Sequence, residues 1–126
     1  GSLTPRLRSR QSTHKQMVKI TFFTAQGNIA GFLMKGHAGA GAYGSDPVCA
    51  AVSSAAYMAA NTITDVIGIP CSVTVSGGYF RFQVSQNCMA ECRTVFRGLE
   101  LHMRQLAKQY PENLKIIYGG VSKCLK

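Results

Sequence analysis

Cys49 and His37 are two residues whose types and spacing could support nucleophilic catalysis. Cys49 follows Asp46-Pro47-Val48, in which Asp can cap the free amides of a helix and Pro fits the first helical position. Cys49 is therefore predicted at about the third helical residue. The free amides and the positive end of the helix dipole there favour a thiolate and lower the pKa of a thiol.

His37 lies twelve residues before Cys49, and a loop of that length can bring its ends together at modest entropic cost. The pair predicts acyl transfer. Cys49 would attack a carbonyl, His37 would take the thiol proton and return it to the leaving amine, and the amides at the helix start would stabilise the oxyanion. Asp46 could orient His37 or only cap the helix, and its position favours capping. Ser53, one turn after Cys49, could hydrogen-bond near the site or simply pack.

The segment between His37 and Asp46 allows two other interpretations. Gly39, Gly41 and Gly44 fit the G-x-G-x-x-G pattern of a dinucleotide site, with Asp65 about twenty residues later. The flanking hairpins, the position of Asp65 within a predicted helix and the charge of Asp46 argue against that site. Alternatively, the segment is a plain connection and Cys49 is a small core residue, which is the usual fate of a helical cysteine.

The other cysteines do not form a second site in the sequence. Cys88 and Cys92 are four residues apart on a predicted helix, a spacing that can pair metal ligands, but no further Cys or His has suitable spacing. Cys71 is predicted in a strand and Cys124 in the tail. We therefore expect neither a metal nor another cofactor.

The predicted elements have the order ββαββαβ, an α+β domain of two layers with a mixed or antiparallel sheet and two helices packed on it. Gly68 and Pro111 are the predicted stop signals of the two helices. Turns at Gln26-Gly27-Asn28 and Gly77-Gly78 would join the strands into two hairpins. The predicted strands are 17–25, 29–35, 69–76, 79–85 and 114–118, and the predicted helices are 47–67 and 87–110.

The composition is that of a globular protein, with 46% apolar and 15% charged residues. The formal charge of +9 includes four cations within residues 1–16. We expect these residues to be an expression tag or disordered leader, followed by a single domain at 17–126. The remaining Lys and Arg residues are spread along the chain without a run, so we expect no direct binding of nucleic acid. The odd number of cysteines and the lack of a long apolar run predict a cytoplasmic protein with reduced thiols and no membrane association.

The stretch GHAGAGAYGSDPVCAAVSS, from Gly36 to Ser54, resembles the signature of the ribosomal-processing cysteine protease family Prp. The Gly-His pair, the small-residue loop, the motif around Cys49 and the offset from His37 to Cys49 all agree with it. The predicted ββαββαβ order also fits that family. Only the first sixteen residues and the last few fall outside the resemblance.

The resemblance implies a bacterial endopeptidase that removes an N-terminal extension from ribosomal protein twenty-seven of the large subunit. It implies that Cys49 is the nucleophile and His37 the base, that Gly36 is the hinge of a mobile substrate loop, and that the protein is a homodimer. Asp46 and Ser53 occupy matching positions of less defined duty. An enzyme whose His and Cys meet only after loop closure would spare other cytosolic proteins. The alternative functions are a non-enzymatic ribosome-associated or peptide-binding module and a small nucleotide-binding protein.

Overall fold

The computed structural model describes residues 17–36 and 47–120 of the chain. Five strands form one sheet with the order β3-β4-β2-β1-β5. The strands are β1 (Val18–Ala25), β2 (Asn28–Lys35), β3 (Cys71–Ser76), β4 (Tyr79–Val84) and β5 (Leu114–Gly120). The helices are α1 (Pro47–Asn61), followed directly by a π-helical segment (Thr62–Ile67), and α2 (Met89–Gln109), preceded by a 3₁₀ turn (Gln86–Cys88).

The sheet is mixed. β1 pairs antiparallel with β2, β2 with β4, and β4 with β3, whereas β1 and β5 are parallel. The ββαββαβ order and the two-layer α+β class predicted from the sequence are confirmed. Because β2 is antiparallel to both of its neighbours, β2 and α1 do not form the βαβ unit that a dinucleotide fingerprint requires.

The core lies between one face of the sheet and the two helices. Alternate residues of the strands are buried in it, and both helices add residues at helical spacing. Each Å² of apolar surface that folding removes from water contributes roughly 25 cal/mol to the free energy of unfolding. The largest fully buried side chains are Phe22, Phe32, Phe82, Phe96, Ile20, Ile63 and Met103.

The first predicted helix does span 47–67, but its last six residues are π-helical. Regular helical spacing from Val52 and Ala56 predicts core positions for both Ile63 and Ile67. Ile63 is fully buried, but Ile67 is 40% exposed, so the prediction was wrong for Ile67. The wider π-helical turn changes the angular position of the residues after Ile63, so the 3.6-residue spacing fails there. Gly68 ends the segment in the left-handed conformation with φ 84°, and its N–H donates to the carbonyl of Ile63.

β3 forms one edge of the sheet and is less buried than its alternating sequence suggested. Val73 and Val75 lie opposite Phe82 and Phe80 of β4, so they point to the helix side, yet they are 50% and 54% exposed. The helices therefore do not extend over this edge. No helix in the described part of the chain is long and apolar enough to cross a membrane.

Candidate active site

Cys49 is the third residue of α1, as the Asp-Pro helix start predicted. Its side chain is fully buried, and its neighbours Val48 and Val52 are also part of the apolar core. The first turn of α1 contains no acidic residue. The positive end of the helix dipole at Cys49 is therefore not offset within that turn.

Ser53 lies one turn after Cys49, and its side chain is only 7% exposed. Residues 49, 52, 53 and 56 share the buried side of α1, which packs toward the sheet and α2. A hydroxyl in this position lies on the same face as the Cys49 thiol. Ser53 is thus placed to contact a group that reaches the thiol.

Gly36 follows β2 and is held on two sides. Its φ is +89°, and a Cβ on it would lie 2.7 Å from the carbonyl oxygen of Met17. Its N–H donates to the carbonyl of Gly78 in the β3–β4 turn at 3.3 Å. Only glycine fits this conformation and this space. The residue directly before His37 is therefore hydrogen-bonded to the β3–β4 turn and has no room for a side chain beside Met17.

The remaining predicted site residues lie outside the described part of the chain. These are the base His37, the cap or orienting residue Asp46 and the substrate-loop glycines Gly39, Gly41 and Gly44. The described residues thus place the nucleophile candidate, its neighbour Ser53 and the hinge candidate Gly36. Their roles stay predictions, as does the meeting of His37 with Cys49.

Two other cysteines are poor nucleophiles in this structure. Burial raises the pKa of Cys92 to about 11, with further contributions from Cys71, Cys88 and Glu91. Burial also raises the pKa of Cys71, whose Sγ donates to the carbonyl of Ile69 at 3.0 Å. Because the thiolate is the reactive form, both residues are less reactive near neutral pH than an ordinary cysteine.

Cys88, like Cys49, lies at the start of a helix. It is the N-cap residue of α2, half-buried, and accepts a hydrogen bond from the Ser85 hydroxyl at 3.6 Å. The first turn of α2 contains one acidic residue, Glu91. The one described histidine, His102, is fourteen residues further along the same helix, about 21 Å away along its axis. Cys88 therefore has no base within reach in the described structure.

The described residues contain no set of side chains that could bind a metal ion. Within residues 17–36 and 47–120, no three His, Cys, Asp or Glu side chains are grouped so that they could hold a metal ion. Cys88 contributes to the raised pKa of Cys71, and both contribute to the raised pKa of Cys92, but the three do not form such a group. The described site consists of a buried helix-start thiol, a buried hydroxyl and a constrained glycine.

Sequence comparison relates this arrangement to a known family. The family model described as "Cysteine protease Prp" matches residues 17–115. The protein named ribosomal processing cysteine protease Prp from Bacillus subtilis is 28% identical over 94 residues, which cover 70% of this chain and 84% of that protein. The protein of the same name from Staphylococcus aureus is 24% identical over 95 residues, which cover 74% of this chain and 90% of that protein.

Solved structures share the fold. The S. aureus ribosomal processing protease Prp in complex with a substrate peptide superposes with a TM-score of 0.71 at 22% identity, over 81% of this chain and 99% of that one. A protein from Streptococcus mutans gives a TM-score of 0.72 at 26% identity, over 84% and 97% of the two chains. Since the family model covers most of the chain, including both helices and the start of β5, this protein belongs to the Prp family of cysteine proteases.

Proposed function

We propose that this protein is the endopeptidase that removes the N-terminal extension of bacterial large-subunit ribosomal protein twenty-seven, with Cys49 as nucleophile and His37 as base. The observation that carries the proposal is the position of Cys49 in the first turn of α1, within a chain of the Prp family. The relatives are named for ribosomal processing, and one was solved with a substrate peptide. Both names support a peptide substrate drawn from a ribosomal protein.

The proposed reaction begins with transfer of the Cys49 proton to His37. The thiolate attacks the carbonyl carbon of the scissile peptide bond, and the backbone amides at the start of α1 stabilise the oxyanion. Collapse of that intermediate breaks the C–N bond, and His37 gives its proton to the leaving amine. Water then hydrolyses the thioester and restores the thiol.

The other site residues have supporting roles in this proposal. Gly36 is the hinge of the loop that contains Gly39, Gly41 and Gly44 and covers the substrate. The hydrogen bond from Gly36 to Gly78 supports this role, because a hinge needs one fixed end. Asp46 caps α1, and Ser53 contacts the substrate or the catalytic pair beside Cys49.

The burial of Cys49 bears on how the enzyme is controlled. A side chain with no exposed surface has to become accessible before it can attack a peptide. We propose that substrate binding moves the loop and brings Cys49 and His37 together, so that the free enzyme does not attack other proteins. We further propose a cytoplasmic homodimer that needs no cofactor.

The test is cleavage of a synthetic peptide that contains the extension and the first residues of the mature ribosomal protein. Cys49→Ala and His37→Ala should each lower kcat/KM by at least about a thousandfold, because removal of one member of a catalytic pair disables the pair. Cys88→Ala is the matched control, since it removes the other helix-start thiol, and it should keep wild-type activity. Circular dichroism melts would show that each variant is folded. Cleavage that survives Cys49→Ala, or that fails in Cys88→Ala, would refute the assignment.

One alternative function has a specific observation in its favour. Because the Cys49 side chain is fully buried, the chain could bind a ribosomal peptide beside α1 without cleaving it. Both functions predict slow alkylation of Cys49 in the free protein, so alkylation alone does not separate them. Mass spectrometry of the extension peptide after long incubation does: the alternative requires binding with an intact peptide, whereas our proposal requires two product fragments.

A further inference from the structure

The sheet has a second face, on which none of the described helices lies. The strand residues in the core point toward α1 and α2, and the residues between them point to the opposite side. We call this opposite side the open face. Its members include Lys19, Thr21, Leu33, Lys35, Tyr79, Arg81, Lys115 and Ile117.

Three lysines form a row across the open face. Lys19 of β1 is the direct partner of Lys35 in β2 and also the direct partner of Lys115 in β5. Neighbouring strands are about 5 Å apart, so the three side chains leave the sheet side by side. All three are exposed. We call this set the lysine row.

Arg81 extends the positive surface onto a fourth strand. It is the direct partner of Leu33, two residues before Lys35 along β2, so it lies on the same face as the lysine row. Its guanidinium carbon is 5.1 Å from the centroid of the Phe23 ring, and it donates to Oε1 of Gln83 at 3.4 Å. These contacts hold a planar cation against the sheet.

No carboxylate balances these charges within the sheet. The five strands contain four cations, all on the open face, and neither Asp nor Glu. The four described acidic residues, Asp65, Glu91, Glu100 and Glu112, lie in the π-helical segment, in α2 and in the turn before β5. Like charges directly opposite each other destabilise a sheet. The lysine row therefore works against folding, and a bound anion would offset that cost.

We propose that the open face binds the phosphate backbone of RNA. A row of side-by-side lysines suits a chain of phosphates, and the Arg81 guanidinium adds a planar group of the kind that contacts nucleic acids. Of the exposed large hydrophobic residues in the described structure, only Ile117 lies on the open face, and it is 36% exposed. The open face therefore has too little apolar surface to insert into a membrane. The choice of RNA rests on the proposed function, because a ribosomal protein substrate is assembled among RNA phosphates.

This proposal differs from the expectation drawn from the sequence. That expectation rested on cations that are spread along the chain. The strand register brings Lys19, Lys35 and Lys115 together although they lie far apart in sequence. Since Cys49 packs on the helix side, RNA on the open face and a peptide at Cys49 would occupy opposite sides of the sheet.

The test measures anisotropy of a fluorescein-labelled single-stranded RNA oligonucleotide during titration with the full chain. The triple variant Lys19→Gln/Lys35→Gln/Lys115→Gln should weaken binding at least about tenfold. It should also lower the slope of log K against log salt by about 2, at roughly 0.7 per lost contact. The matched control, Arg93→Gln/Arg104→Gln/Lys108→Gln, removes three exposed cations from α2 and should bind like wild type. Residues 1–16 are present in every protein, so their charges cancel in the comparison.

The outcomes separate this proposal from the proposed function. Cys49→Ala should bind the RNA as tightly as wild type, so failure of peptide cleavage leaves the open-face result intact. Equal weakening in the two triple variants would show a net-charge effect and overturn the proposal. Absence of RNA binding by the wild type would overturn it as well. So would binding of phosphatidylglycerol vesicles, but not RNA, through the lysine row.

Discussion

At the scale of single residues, Gly36 combines a left-handed φ of +89°, a close approach to the Met17 carbonyl and a hydrogen bond to Gly78. Gly36→Ala should lower the free energy of unfolding by about 1–3 kcal/mol, because the side chain adds backbone strain and meets a backbone atom. Chemical denaturation measures this change. Peptide cleavage should fall as well, since Gly36 directly precedes the proposed base His37.

The neighbouring turn offers a matched control for that change. A Cβ added to Gly77 would meet nothing within 4 Å, and Gly77 lacks the positive φ that Gly36 and Gly78 adopt. Gly77→Ala should therefore change the free energy of unfolding by less than about 0.5 kcal/mol. Equal effects of Gly36→Ala and Gly77→Ala would mean that Gly36 is not specially constrained.

Cys92 predicts a pH dependence of stability. Burial raises its pKa from 9.0 to about 11, so the unfolded chain loses the thiol proton at lower pH than the folded one. Stability from this group is complete below pH 9 and is lost as the pH rises toward 11. Between about pH 7.5 and pH 10, the free energy of unfolding of the wild type should fall by about 1 kcal/mol more than that of Cys92→Ala. Urea denaturation under reducing conditions at both pH values tests this, and parallel pH profiles of the two proteins would contradict it.

At the scale of elements, α1 is held over the sheet by a ring contact. Tyr57 stacks on Phe80 of β4 with centroids 4.6 Å apart and an interplanar angle of 15°. Tyr57→Ala should cost about 1–2 kcal/mol, less than a fully buried aromatic, because Tyr57 is 41% exposed. Met58→Ala, next along the helix and 65% exposed, should cost less than about 0.5 kcal/mol. Thermal melts of the pair measure the difference, and equal losses would rule out an anchoring role for the stack.

The elements themselves could be predicted from sequence because their signals are local. Asp46-Pro47 marks the start of α1, Gly68 its end, and Gly77-Gly78 the second hairpin. Pairing is not local: nothing in 114–118 indicates that β5 adds to β1 in parallel. The exposure of Val73 and Val75 likewise depends on how far the helices extend over the sheet, which alternation does not reveal.

The candidate site also has features that depend on neighbouring residues and features that depend on distant ones. The position of Cys49 in the first turn of α1 follows from neighbouring residues and could be predicted. The predicted helix 87–110 already placed Cys88 in a first turn too, so helix position alone did not separate the two thiols, and the structure makes Cys88 the N-cap of α2. The constraint on Gly36 comes from the Met17 carbonyl and from the hydrogen bond to Gly78, which are distant in sequence, and no local pattern indicates it.

At the scale of the whole molecule, the two faces of the sheet have opposite characters. The helix face contains the apolar core and Cys49, whereas the open face carries every cation of the strands. The sheet thus separates the proposed chemistry from the proposed RNA contact. A consequence that needs no ligand is that the lysine row should make stability depend on salt.

Lys19 has a like charge on each side in the lysine row, so Lys19→Gln should stabilise the protein by about 0.5–1 kcal/mol at low salt, from two pairs at a few tenths each. Raising the ionic strength from about 0.01 M to 1 M shortens the Debye length from ~30 Å to ~3 Å and should erase most of that gain. Lys108→Gln makes the same charge change in the last turn of α2, where a cation is favourable, and should slightly destabilise instead. Urea denaturation of the three proteins at both salt concentrations measures these effects. Equal shifts in the two variants would trace the effect to net charge, and the lysine row would then impose no local cost.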